Sequence, residues 1–175
     1  MKILIATPLY PPEIADAALY AKELARRLSA RHEVTVITYA HLPEPLPRVK
    51  NLTIDKRQSR LARLRAFRNV FATAARDADA IIMINGVSVE LPLLLIARPH
   101  KTPLVFCVAD RAAHARSGIV EQLARLNADT IMTDIPPRKP EILPLEPAPT
   151  EALAAWGAAW EAHLARLESL IKKHD

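Results

Sequence analysis

Short apolar runs alternate with stretches of helical period along most of this chain, and few folds accommodate that pattern. Ile3 to Ala6 forms the first run; it breaks at Pro8, Pro11 and Pro12 and gives way to a helical stretch over 16–31. There Ala17, Leu19/Tyr20, Leu24 and Leu28 recur at three and four residues, with Lys22, Glu23, Arg26 and Arg27 on the other face. Glu33 to Tyr39 reads as a buried strand and Leu52 to Lys56 as a short edge strand. A helix over 57–77 follows, with Leu61, Leu64, Phe67, Phe71 and Ala74 turned inward. Ala80 to Asn85 is a strand, Val89 to Arg98 a helix, Pro103 to Ala109 a strand and Ala112 to Asn127 a helix. Thr130 to Thr133 and Ile142 to Leu145 close the series as short strands. Strand alternating with helix implies right-handed crossovers, hence a three-layer α/β domain with a Rossmann-like parallel sheet of about six or seven strands.

The first loop then falls at the carboxyl end of the central strand, where open parallel sheets bind their ligands. The chain has 175 residues, enough for about one domain with a real core. Its longest apolar stretches, 80–84 and 89–97, fall short of the ~20 residues a membrane span needs. The N-terminus lacks the length and cleavage site of a signal peptide. A single cysteine, Cys107, permits no internal disulfide, so the expected setting is cytoplasmic. Three glycines against fifteen prolines leave little material for glycine-rich phosphate loops. No G-x-G-x-x-G follows the first strand, which disfavours a dinucleotide site, and the histidines show no metal-ligand spacing. We expect no cofactor and no metal.

After the Pro-rich stretch 136–149, Thr150 to Lys173 reads as one helix with Leu153, Trp156, Trp160, Leu164, Leu167 and Ile171 on one stripe. Thr150 is its expected N-cap, and the two tryptophans are expected to anchor it on the sheet domain. The chain thus divides into a Rossmann-like domain, 1–146, and a linker with a packing helix, 147–175.

The stretch MKILIATPLYPPEIADAALYAKELARRLSARHEVTVITY resembles the start of the GT-B glycosyltransferases of family 4. Those proteins open with a strand, then Y-P-P-E-x-G-G, a helix with Y-x-x-E-L-A-x-x-L, and G-H-E-V-x-V-x-T. The resemblance continues through Asn85-Gly-Val-Ser-Val-Glu-Leu-Pro, through Lys101-Thr-Pro-Leu-Val to Asp110, and through Ala128-Asp-Thr-Ile-Met to Ile142-Leu-Pro. Trp160-Glu-Ala-His-Leu-Ala-Arg-Leu is similar to the family's closing helix, W-E-x-H-x-x-x-L. The resemblance implies an acceptor-binding N-terminal domain followed directly by the closing helix, without the donor-binding domain and its E-x7-E motif. It therefore implies an acceptor-side half that needs a separate donor-binding glycosyltransferase chain to transfer sugar from a nucleotide sugar. The alternative is a non-catalytic binding or scaffold descendant.

The resemblance also nominates residues. Tyr10, Glu13, Ala15, Asp16, Asn85 and Gly86 are the expected substrate-binding positions, and Asp110 with His114 the candidate catalytic ones. Where the family has Gly-Gly, this chain has Ala15-Asp16. Asp16 is placed to N-cap the helix, and a carboxylate there opposes a donor diphosphate at about 4 kcal/mol per ~4 Å contact before screening. Arg31 replaces the family's Gly past the helix end, at up to ~1 kcal/mol if left-handed. Ala109 replaces a His that often precedes the strand-end Asp.

The net charge is +5, and Lys56 to Arg76 holds seven basic residues and no acidic one. Lys56, Arg57, Arg60, Arg63, Arg65 and Arg68 form either a solvated helix face or a patch for anionic lipid. Binding to nucleic acid is disfavoured, because the inward stripe claims Phe67 and Phe71. A protein peripheral at the membrane is the corresponding expectation for localisation.

Overall fold

The computed structural model describes residues 1–40, 42–96, 102–110, 118–137, 139 and 150–173. Six parallel strands form one sheet: β1 (Lys2–Thr7), β2 (Glu33–Tyr39), β3 (Val49–Ile54), β4 (Ala80–Ile84), β5 (Leu104–Cys107) and β6 (Thr130–Met132). Their order is β3-β2-β1-β4-β5-β6. The helices are α1 (Asp16–Leu28), α2 (Arg60–Arg76), α3 (Val87–Leu94), α4 (Ile119–Leu126) and α5 (Thr150–Lys172). The architecture is the expected Rossmann-like one. The expected strand Ile142 to Leu145, the first part of the expected 112–127 helix and His114 lie outside the described residues.

Alternation along the strands produces two cores. Ile3, Ile5, Val34, Val36, Ile82 and Val105 face α1 and α5, while Leu4, Ala6, Ile37, Ile81, Met83 and Phe106 face α2, α3 and α4. Every residue of β4 and β5 is buried, which is why these runs read as continuously apolar rather than alternating.

Helix α5 closes the first core. Trp160 stacks on Tyr20 of α1 at 5.5 Å between ring centroids, with the planes 22° apart. His163, 6% exposed, shares a 2.8 Å hydrogen bond with the Tyr20 hydroxyl, and Leu164, Leu167 and Ile171 continue the stripe. The Arg27 guanidinium lies over Trp156 and Trp160 at 4.9 and 5.4 Å and pairs with Glu161 at 2.9 Å. Arg31 pairs with Glu161 and Glu168 on the exposed rim, where such pairs contribute about 0–1 kcal/mol each.

Several sequence expectations require correction. Helix α2 begins at Arg60 rather than Arg57, because the Ser59 hydroxyl accepts from the Ala62 N–H and caps it. Leu61 then points outward at 67% exposure, and Phe67, Phe71 and Ala75 carry the buried face. Leu19 is likewise exposed, with Tyr20 taking the core position. Helix α3 begins two residues before Val89, because Gly86 serves as its N-cap. Thr150 lies inside α5 rather than at its N-cap. Arg31 is not left-handed: Arg48 is the only non-glycine with positive φ among the described residues. Helix α1 ends on ordinary bonds from the Arg31 and His32 N–H groups to Leu28.

Two outcomes follow. Trp160→Ala removes the ring that seats α5 on α1 and should cost about 3–5 kcal/mol in urea denaturation. Burial holds His163 below its ordinary pKa of 6.5, with Arg166 acting the same way and Asp134 opposing. The unfolded chain therefore takes up this proton first as pH falls. The stability from neutral His163 is complete above about pH 6.5 and is lost as pH drops through the folded value. Chemical denaturation of wild type against His163→Gln across pH 5 to 8, a window set by the ordinary His value, should show the slope only in wild type.

Candidate functional site

Strand order reverses between β1 and β4, so the loops that leave these two strands flank the crevice where doubly wound sheets place ligands. The Pro8 ring lies against Gly86, which has φ +151°, and a Cβ there would sit 2.7 Å from Pro8 Cγ. Only glycine combines that backbone with that approach. The Gly86 N–H donates to Glu90 Oε1 at 2.7 Å, so a buried carboxylate on the first turns of α3 fixes the glycine in place.

Asn85, 1% exposed, joins β4 to β5 beyond their last paired residues. Its Oδ1 accepts from the Ala109 and Asp110 N–H groups at 2.9 Å each, and its Nδ2 donates to the Asp110 carbonyl at 2.8 Å. Asn85 and Asp110 are therefore brought together through the Asp110 backbone. The Asn85 amide donates and accepts within the protein and has little left for a ligand.

Tyr10 is fully buried against α1, its hydroxyl without a hydrogen-bond partner. Burial, helped by the Glu44 carboxylate, pushes its pKa up to about 12, so it stays a neutral phenol. Glu44 pairs with Lys22 at 2.5 Å, and its N–H donates to the Pro11 carbonyl at 2.9 Å. The chain after β2 is thereby pinned to the β1–α1 loop. Glu13 pairs with Lys56, and its second carboxylate oxygen is buried without a hydrogen-bond partner. The turn after β3 thus closes on the same loop. Thr38, fully buried at the end of β2, has a hydroxyl without a partner.

The start of α1 differs from the expected arrangement. Ala15 occupies the N-cap in extended conformation (φ −149°, ψ 154°), and Asp16 is the first residue inside the helix. Its carboxylate still lies in the first turn, where the helix dipole favours negative charge.

The basic patch is smaller than the sequence suggested. Lys56 is taken by Glu13 and Arg57 by Asp55, both Asp55 carboxylate oxygens accepting from the guanidinium. Arg63 is half-buried, close enough to Lys56 and Tyr39 to lower both their pKa values by its charge, although burial is the larger influence and lifts Tyr39 to about 12. Arg60, Arg65 and Arg68 remain exposed, with no ion pair among the described residues.

Three features of this end of the sheet escaped sequence reading: the Glu90 carboxylate on Gly86, the Tyr39 hydroxyl donating to the Ser88 carbonyl at 2.7 Å, and the Lys22–Glu44 clamp. Glu90, four residues after a glycine at a helix start, is the only one with a local signal. Among the described residues no group of three His, Cys, Asp or Glu side chains could hold a metal ion. Cys107 is buried beside Tyr20, its thiol pushed up to about 12 by burial, which leaves it un-ionised.

The model of the family described as the glycosyl transferase 4-like domain matches residues 17–135, more than half of the chain. The chain belongs to this family. The matched span begins just inside α1 and ends beyond β6, so it takes in the sheet domain from the first helix onward. No curated protein matches the chain. A solved structure, the C-terminal domain of the coenzyme A biosynthesis bifunctional protein CoaBC, aligns over 96% of each chain at 12% identity with a TM-score of 0.48.

Asn85→Ala deletes three hydrogen bonds and leaves the buried Ala109 and half-buried Asp110 N–H groups unsatisfied. It should lower stability by about 2–3 kcal/mol in urea denaturation, with Asn85→Asp intermediate because the acceptor survives.

Proposed function

We propose that this member of the glycosyl transferase 4-like family is the acceptor-side half of a sugar-transfer enzyme. In this reading a separate donor-binding chain supplies the nucleotide sugar, and the crevice between the β1–α1 and β4–α3 loops receives the acceptor. The observation that carries it is that Glu13, in the loop after β1, and Asn85 and Asp110, after β4 and β5, all lie at the carboxyl end of the parallel sheet. Glu13, paired to Lys56, and Asp110, held by its backbone, are the carboxylates this reading assigns to the acceptor. Asp110 is our choice for the group that takes the hydroxyl proton. Helix α1 opposes a donor diphosphate in this chain: Ala15 puts a Cβ at the N-cap, and Asp16 adds negative charge in the first turn.

A second reading, a non-catalytic scaffold, is favoured by the Asn85 amide being consumed in tying β4 to β5 and by the complete burial of Tyr10. One experiment separates the two. Nucleotide sugars are titrated calorimetrically into the chain alone, and sugar transfer is assayed with candidate donor-binding chains. The first reading expects no nucleotide binding by the chain alone and transfer in one mixture. It further expects Asp110→Asn to lower that transfer by about 10²–10⁴-fold, the usual effect of losing a general base. Absence of transfer in every mixture leaves the scaffold reading standing.

A further inference from the structure

Helices α3 and α4 pack side by side on one face of the sheet. Val89 and Leu93 of α3 and Ala124 of α4 are buried there, in the core that also holds Leu4, Ile81 and Phe106. At about 3.6 residues per turn, Val87 and Leu91 of α3 and Leu95 at its C-cap stand on the side turned away from the sheet. Ile119, Leu123 and Leu126 do the same on α4. The outward faces of two neighbouring helices are therefore aliphatic. Ile119 and Leu126 are 74% and 82% exposed, Val87 and Leu95 56% and 53%. A helix laid on a sheet ordinarily turns its charged residues to water. Here Glu90 and Glu121 are buried and Arg125 is half-buried, while the exposed polar residues within the two helices are the uncharged Ser88 and Gln122.

We propose that two copies of this chain associate through this face about a two-fold axis, α3 and α4 of one packing on α3 and α4 of the other. The six aliphatic side chains expose on the order of 600 Å² of apolar surface, the upper end for the largest patch of a monomer. Covered in both copies, that reaches the ~1,200 Å² at which stable specific interfaces begin. A two-fold contact sets one patch against itself, so a charged patch would repel its own copy. This face avoids that repulsion in a chain of net charge +5, because the exposed positions of both helices carry no charge. The donor-binding chain proposed above is not the occupant. To deliver a sugar it has to face the carboxyl end of the sheet, whereas this surface lies over the sheet's flat side. The inference stands whether or not the acceptor-half reading holds.

The test is sedimentation equilibrium of the full chain across about 1–100 µM, since interfaces of this size hold at micromolar concentrations or below. A monomer–dimer equilibrium is expected. Leu91→Asp or Leu123→Asp should raise its dissociation constant about a hundredfold, because each brings like charges into a desolvated contact. Leu61→Asp, at an exposed leucine of α2 outside this face, should leave it unchanged. Circular dichroism checks that each variant folds. Gln122→Glu, a change at a solvent-facing polar position, weakens the dimer in the same direction and keeps the test open if a leucine variant misfolds. A chain that stays monomeric through the whole range overturns the proposal and leaves the face to a different partner. A dimer that survives the patch substitutions, or that Leu61→Asp weakens equally, overturns it too. So does stepwise growth beyond the dimer, which a closed two-fold contact forbids.

Discussion

A parallel sheet has to be covered on both faces, and most of this molecule follows from that requirement. β1 lies in the middle of the strand order with all but its first residue buried, so helices must close over it from two sides. Helices α2, α3 and α4 cover one side within the crossovers between β3 and β6. Among the described residues the other side has α1 alone until α5 returns from the end of the chain. The contact of Trp160 with Tyr20 is where that return is secured. Around it a stacked ring, a hydrogen bond to His163 and the guanidinium of Arg27 act together, so α5 completes the core of the domain.

The same geometry sets the character of the carboxyl end of the sheet. The loops there are tied to one another by polar contacts: Lys56 on Glu13, Glu44 on Pro11, Asn85 on the backbone just beyond β5. These ties shape a crevice and also use up much of the chemistry that the residue types promised. Asn85 is buried in backbone pairing, Tyr10 in the core, and Glu13 is paired with Lys56.

The architecture could be read from sequence because each strand and helix carries its own period. β2 and β4 are β-branched apolar runs of strand length, and α1 shows its buried face through Ala17, Leu24 and Leu28. Boundaries were less accessible. Ser59 and Gly86 decide where α2 and α3 start, and the hydrophobic pattern runs past both without a break. At the α2 boundary this turned Leu61 from an expected core residue into an exposed one. His163 belongs to the buried stripe of α5 but was invisible as such, because its place depends on a tyrosine 143 residues away. The site was less legible than the fold. Residue types at loop positions point to an ancestry, whereas the pairing of Lys56 with Glu13 and the double use of the Asn85 carbonyl depend on strands brought together by topology.

The meeting of Pro8 with Gly86 has an evolutionary consequence. Position 86 cannot gain a side chain while position 8 holds a ring, and a smaller residue at position 8 would leave a gap over a backbone that still demands glycine. Position 8 can therefore change only at the expense of packing, and position 86 cannot change at all while this backbone is kept. A homologue without the glycine must carry a rebuilt β4–α3 loop as well as a smaller residue at position 8. Transplanting one of the two loops into a relative should fail where transplanting both succeeds.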